Sequence, residues 1–210
     1  NIDQFQNPAY KESTKQSIII TFDDGFSCWH KIALPILEEL KIPALFFICS
    51  GILEDNKNYK KNFISKNLNR KNPNLIAISK AQVRDIASNE LFNIGAHTIN
   101  HIDLGKENNY HIMKREILKD KENLTNITGK EIKYFAYPRG RLRNLSKESY
   151  EIIKESSYKL AFTTIPGFVE KNTDPLLLPR DSMEFSDSLI TWENWLKGGY
   201  FSKKVNYKNL

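Results

Sequence analysis

Short apolar runs alternate with helical patterns along almost the whole chain, and polar residues gather where each run stops. The runs cover residues 17–22, 43–49, 92–96, 132–137, 160–164 and 176–178. Their β-branched and aromatic content, bounded by Gly, Pro, Asn or Ser, reads as buried strands. Between the first two, apolar residues recur at helical spacing over 29–40, with Pro35 placed to kink or delay that helix. Ser79 caps a helix running to 91 and Ser146 one running to 156. The most regular helix spans 110–124 and ends before Gly129, with Ile112, Met113 and Ile117 setting an apolar face and Glu116, Asp120 and Lys121 a charged one; a closing helix spans 189–196. Such alternation implies parallel strands joined by helical crossovers, with sites at the carboxyl ends of the strands. The predicted fold is α/β: a TIM-like, distorted or incomplete (β/α) barrel of about seven strands, because a full eight-unit barrel takes ~250 residues and this chain has 210.

No shift in composition marks a linker, so residues 1–210 read as one domain. No apolar run approaches the ~20 residues of a membrane-spanning helix. The net charge of +6 favours anionic partners, and it equally serves solubility. The Lys- and Asn-rich stretch 56–74 lacks the interleaved aromatics of a nucleic-acid platform, so no nucleic-acid partner is expected. Residues 52–76 read as a surface excursion bordering a substrate groove, with a short helix near 59–68. Residues 1–14 lack an export pattern, which fits either a cytoplasmic chain or a processed, exported one. Cys28 and Cys49 each follow a predicted strand; two separate thiols are expected over a disulfide, and their redox state stays open.

The chemistry starts where the first run ends. Asp23 and Asp24 are adjacent carboxylates that repel unless a cation shares them, and a metal ion resolves that conflict. His97 and His101 follow the third run at a spacing of i to i+4, which lets both rings face one way across a turn. Two histidines and one carboxylate leave a coordination position open, as in a catalytic zinc-type site. A histidine pair of this spacing is more often surface or capping chemistry. Here both pairs emerge from carboxyl ends of predicted parallel strands, and the chain has only four histidines.

Residues 21–25 (Thr-Phe-Asp-Asp-Gly) together with 97–101 (His-Thr-Ile-Asn-His) resemble the polysaccharide deacetylase family, carbohydrate esterase family four. Residues 135–140 (Phe-Ala-Tyr-Pro-Arg-Gly) and 178–180 (Leu-Pro-Arg) resemble later elements of one subgroup. The resemblance implies metal-dependent removal of N-acetyl groups from an N-acetylhexosamine polysaccharide or cell-envelope glycan. It implies that Asp24, His97 and His101 bind a divalent metal (zinc first, with cobalt, nickel or iron fitting the same ligands) and that Asp23 is the general base. The backbone N–H of Arg139 would donate to the oxyanion, at a position where relatives usually carry tyrosine, and Tyr137, Pro138 and Arg139 would line the substrate. Many relatives have arginine where Ala136 stands, so the cation that holds Asp23 is expected from Arg180. No histidine follows His111 to act as general acid, and His30 and His111 read as packing or surface groups. The subgroup often carries its acid upstream, so an upstream segment is expected in the full protein, with Asp181 as an alternative acid. Trp192 and Trp195, at i and i+3, read as core ahead of sugar platforms. A periplasmic, secreted or cell-surface location with peripheral envelope association follows from this reading. Its alternatives are a glycan-binding relative that lacks turnover and a small-amide hydrolase.

Overall fold

In the computed structural model, residues 17–68, 75–182 and 188–196 are described. Five strands carry the fold: β1 (Ile20–Phe22), β2 (Ala44–Ile48), β3 (Phe92–Ala96), β4 (Tyr134–Ala136) and β5 (Leu160–Phe162). They pair in sequence order and all in parallel, as right-handed crossovers through helices require. The sheet curls into half a barrel backed by helices, the distorted (β/α) barrel foreseen from the alternation. The expected count of about seven strands is not met among the described residues. The run at 176–178 contributes a single parallel bridge, Leu178 to Phe162, because Ala161 also gives its N–H to Pro175 and the pairing ends within three residues.

Strand periodicity sorts the core into two layers. Leu45, Phe47, Tyr134, Ala136, Leu160 and Phe162 point inward with Leu178. Phe46, Ile48, Phe135 and Ala161 point outward onto the helices with Val83, Ile86, Ile117 and Ile152. Burying each large side chain contributes roughly 1.5–3 kcal/mol.

The helices follow local signals. A π-turn at Trp29–Ala33 leads into α1 (Leu34–Glu39), and Pro35, which has no N–H to give, sits in the first turn of α1. α2 (Lys57–Asn62) is capped by Asn56 and runs into a π-turn at Phe63–Asn67. Phe63, Ile64 and Leu68 are buried, so this part of the excursion belongs to the core; residues 69–74 lie outside the described residues. Reciprocal capping boxes start α3 (Lys80–Ser88) at Ser79 and α5 (Lys147–Glu155) at Ser146. α4 (Tyr110–Thr128) stops at Gly129, whose φ of 68° suits a residue without Cβ. Its inward stripe is Met113, Glu116, Ile117, Asp120 and Leu124, while Ile112 is exposed. The two acids therefore lie on the buried face, a correction to the faces read from the sequence.

α6 (Leu189–Leu196) exposes Leu189, Ile190 and Trp192, so Trp192 is not core; the side chain of Trp195 lies outside the described residues. Cys28 and Cys49 are free, Cys49 being buried with its thiol on the His97 carbonyl at 3.3 Å.

Candidate active site

The site forms at the carboxyl ends of β1, β3 and β4. Just past β1, Asp24 takes a left-handed conformation (φ 78°) ahead of Gly25. That turn splits the neighbouring carboxylates. Asp23 meets Arg180, and Asp24 faces the histidines. His101 (φ 53°) and Thr98 (φ 63°) are likewise left-handed; for a β-branched residue such as Thr98 this is a real departure from preferred geometry, and such departures gather at functional sites.

Asp24 Oδ1 lies 3.7 Å from His97 Nε2 and 3.6 Å from His101 Nε2. All three residues are buried, and one ligand atom from each falls within 4.8 Å of the others. Ligands bound at zinc-type lengths on a tetrahedron stand about 3.3 Å apart, so these separations suit one shared cation. The tautomers suit it too. His97 Nδ1 is 2.7 Å from the Ala136 carbonyl and His101 Nδ1 is 3.2 Å from the Asn67 carbonyl. A carbonyl only accepts, so each Nδ1 carries the proton and each Nε2 keeps its lone pair for a metal.

The His97–His101 loop is held from behind by α4. Asp120 accepts the His97 N–H at 2.8 Å and the Ser50 N–H at 2.7 Å. Glu116 accepts the Asn100 N–H at 2.8 Å and its side-chain amide at 2.6 Å. Burial pushes the Asp120 carboxyl up to about 7, against the pull of its N–H donors.

Arg180 grips Asp23 with both terminal nitrogens, at 2.7 and 2.8 Å, while its Nε donates to the Thr163 carbonyl at 2.8 Å. Its guanidinium lies 5.3 Å from the Phe47 ring centroid in the barrel interior. Burial raises the Asp23 carboxyl, but Arg180 and His97 outweigh it and hold the group below the usual carboxylate range. Burial and the nearby His97 ring push His101 down to about 4, whereas the carboxylates of Asp24 and Asp23 outweigh burial at His97 and raise it.

Arg139 is exposed, with φ 62°. Its carbonyl accepts from Thr164 Oγ1 at 2.6 Å, and its N–H has no acceptor among the described residues. A Cβ at Gly140 (φ 61°) would stand 2.6 Å from the Thr164 nitrogen, so this turn admits only glycine without a shift.

Asp23, Asp24, His97, His101, Arg180 and Arg139 thus gather at one mouth. Two expected substrate contacts do not. Tyr137 is fully buried and Pro138 is buried. Tyr137 shares the outward strand parity of Phe135 and packs on it with ring centroids 5.3 Å apart, which turns its ring towards the helices and away from any substrate. His30 is bonded to Asp85 and Gln82, and His111 lies on an exposed turn of α4. Sequence reasoning missed Glu116 and Asp120, whose signal is their placement three and seven residues after buried Met113. It also missed the Ala136 and Asn67 carbonyls, which carry no side-chain signal.

This fold and site place the chain in the polysaccharide deacetylase family, whose model matches residues 10–174. Among curated proteins it is 28% identical over 173 residues to the poly-β-1,6-N-acetyl-D-glucosamine N-deacetylase of Staphylococcus aureus, covering 79% of this chain and 54% of that one. The chain therefore spans about half the length of such relatives. Among solved structures, the Streptococcus pyogenes deacetylase PplD in complex with acetate superposes with a TM-score of 0.72 at 20% identity, covering 91% of this chain and 74% of that one. The Bacillus cereus polysaccharide deacetylase BC0361 gives 0.70 at 22% identity, covering 91% and 55%.

Proposed function

We propose that this chain is a metal-dependent N-deacetylase that hydrolyses the acetamide of N-acetylhexosamine residues in a glycan outside the cytoplasm. The observation that carries the reading is the division of two adjacent carboxylates, Asp23 clamped by an arginine and Asp24 facing the Nε2 atoms of two histidines.

Asp24, His97 and His101 would hold the cation, zinc by preference, with cobalt, nickel and iron as alternatives. When bound, such an ion supplies Lewis acidity and lowers the pKa of nearby water. Asp23, kept ionised by Arg180, accepts the proton from the attacking water at a carboxylate oxygen. The Arg139 N–H donates to the acetamide oxygen as it gains charge. When the C–N bond breaks, the leaving amine needs one proton, and the proton that Asp23 has taken balances it. Asp181 beside Arg180, raised by partial desolvation, is a second source.

A second reading, a glycan-binding relative without turnover, is favoured by one observation: none of the chain's other histidines is placed to protonate the amine, His30 being bound to Asp85 and His111 standing on α4.

Metal titration and acetate release test both readings, using β-1,6-linked N-acetylglucosamine oligomers, chitooligosaccharides and peptidoglycan fragments. Asp24→Ala and His97→Ala are expected to lose metal, and Asp23→Asn to keep metal and lose turnover. Equal metal loss in all three refutes the division of roles. Tight glycan binding with no acetate from metal-loaded protein selects the second reading.

A further inference from the structure

We propose that the glycan taken by this site is anionic, carrying carboxylate or phosphate groups beside the reacting N-acetylated sugar, and that Arg139, Arg141 and Arg143 with Lys106 recognise those charges. The inference rests on the deacetylase reading for its reaction and on separate observations for its charge preference.

All three arginines are exposed, and no ion pair or guanidinium hydrogen bond engages any of them among the described residues. They alternate along the loop that leaves β4, the loop whose first residue after Pro138 supplies the proposed oxyanion donor. Five residues of chain reach at most ~17 Å, so the backbone of Arg143 lies no farther than that from Arg139.

The backbone beneath them is hydrogen-bonded at both ends. Thr164 donates its N–H to the Gly140 carbonyl at 2.9 Å and its hydroxyl to that of Arg139. At the far end, Asn144 is buried and donates to Asp103 at 2.8 Å and, through its N–H, to the Arg141 carbonyl at 2.8 Å. Gly105 packs so closely on the Arg143 carbonyl that a Cβ there would come within 2.2 Å of its oxygen. This second contact ties the arginine loop to the segment that follows His101, and it brings exposed Lys106 alongside.

Neither acid that flanks Lys106 pairs with an arginine of the loop among the described residues. Asp103 accepts from Asn144 and from the Gly105 N–H, and Glu107 accepts the Asn109 N–H at 2.8 Å. A hydrogen-bonded backbone presenting unpaired planar forks is suited to carboxylate or phosphate, which each fork binds through two parallel hydrogen bonds. Because the backbone is already ordered, binding loses mainly side-chain freedom.

Three N-acetylated probes of matched length test the proposal with the metal-loaded chain: neutral chitotetraose, a hyaluronan tetrasaccharide bearing carboxylates, and oligomeric N-acetylglucosamine phosphate. Binding is followed by calorimetry at about 0.05 and 0.5 M NaCl, conditions that span the screening of surface charge, and acetate release is followed in parallel. At least one charged probe is expected to bind about tenfold or more tightly than chitotetraose at low salt, and to lose that advantage at high salt. Which charged probe binds better separates the carboxylate from the phosphate source. Arg141→Gln/Arg143→Gln should remove most of the preference and leave chitotetraose within about twofold. Arg141→Lys/Arg143→Lys, which keeps the charge and loses the fork, should fall between, and unchanged melting of both variants excludes misfolding. Equal affinity for charged and neutral probes, or a preference that survives Arg141→Gln/Arg143→Gln, overturns the proposal. Charge-selective binding without acetate from any probe, or from the β-1,6-linked oligomers and peptidoglycan fragments run beside them, upholds this inference and defeats the deacetylase reading; acetate from chitotetraose without charge selectivity does the reverse.

Discussion

Arg180 gives both terminal nitrogens to Asp23 and its Nε to the Thr163 carbonyl, so one side chain sets both the charge and the aim of the proposed base. Arg180→Gln removes the guanidinium that grips Asp23 and lets its carboxyl rise. The acid limb of kcat/KM for the metal-loaded protein should then move to higher pH, with a smaller shift in Arg180→Lys. The same pair has a signature in stability. A carboxyl depressed by folding contributes above its unfolded value of about 3.9 and loses that contribution as pH falls. The stability difference between wild type and Arg180→Gln, measured without metal, should therefore be largest above about pH 4 and shrink below it. An acid limb that does not move would show that Asp23 is not the titrating base. Tyr137 is the opposite case. Its hydroxyl is buried with no hydrogen-bond partner among the described residues, so Tyr137→Phe should change stability by less than about 1 kcal/mol and leave KM unaltered. A large rise in KM would contradict its placement against the helices.

The elements behind the site act through backbone groups. Asp120 on α4 accepts one N–H on each oxygen, from the loop after β2 and from the end of β3. Asparagine offers a single acceptor and turns an amide N–H against the other donor. Asp120→Asn should cost roughly 2–3 kcal/mol in urea unfolding, and it should weaken metal affinity about 10–100-fold, the usual range for a group that orients a ligand. A variant that loses stability with unchanged metal affinity would make Asp120 a purely structural group. Gly140→Ala should destabilise by about 2 kcal/mol or more, because both its φ and the Thr164 backbone oppose a Cβ.

At this scale the sequence is legible where local composition and pairing agree. The run at 92–96 becomes β3 end to end, and the caps at Ser79 and Ser146 start helices at the next residue. The run at 132–137 yields only Tyr134–Ala136, since available partners, not β propensity, end a strand. The two acids of α4 are misplaced by any reading that sends charge to solvent, because their partners are backbone N–H groups of a distant loop. Asp24, His97 and His101 are legible because metal chemistry demands those residue types at strand ends. The carbonyls that orient them are not, since every residue has one.

For the molecule as a whole, the three proposed metal ligands come from two strand ends, and their supporting carbonyls come from β4 and the turn after α2. A cation bound there links four parts of the fold. Binding to the native state alone adds about 2.7 kcal/mol at a hundredfold excess over Kd, so chelation should lower the melting midpoint by several degrees. His101→Ala should abolish that response; a midpoint indifferent to zinc in the wild type would rule out a resident ion. Among the described residues no helix is long and apolar enough to cross a membrane.

The clamp on Asp23 reaches across 157 residues of sequence, and that distance orders events during synthesis. Chains grow at about 5–20 residues per second, so Asp23 leaves the ribosome on the order of 10–30 seconds before Arg180 does. In that interval the aspartate, both histidines and the loop with the proposed oxyanion donor can assemble without the base being set. On the proposed reading, the base would be set only once residue 180 has been made, and a nascent chain stalled before it would hold metal without turning over.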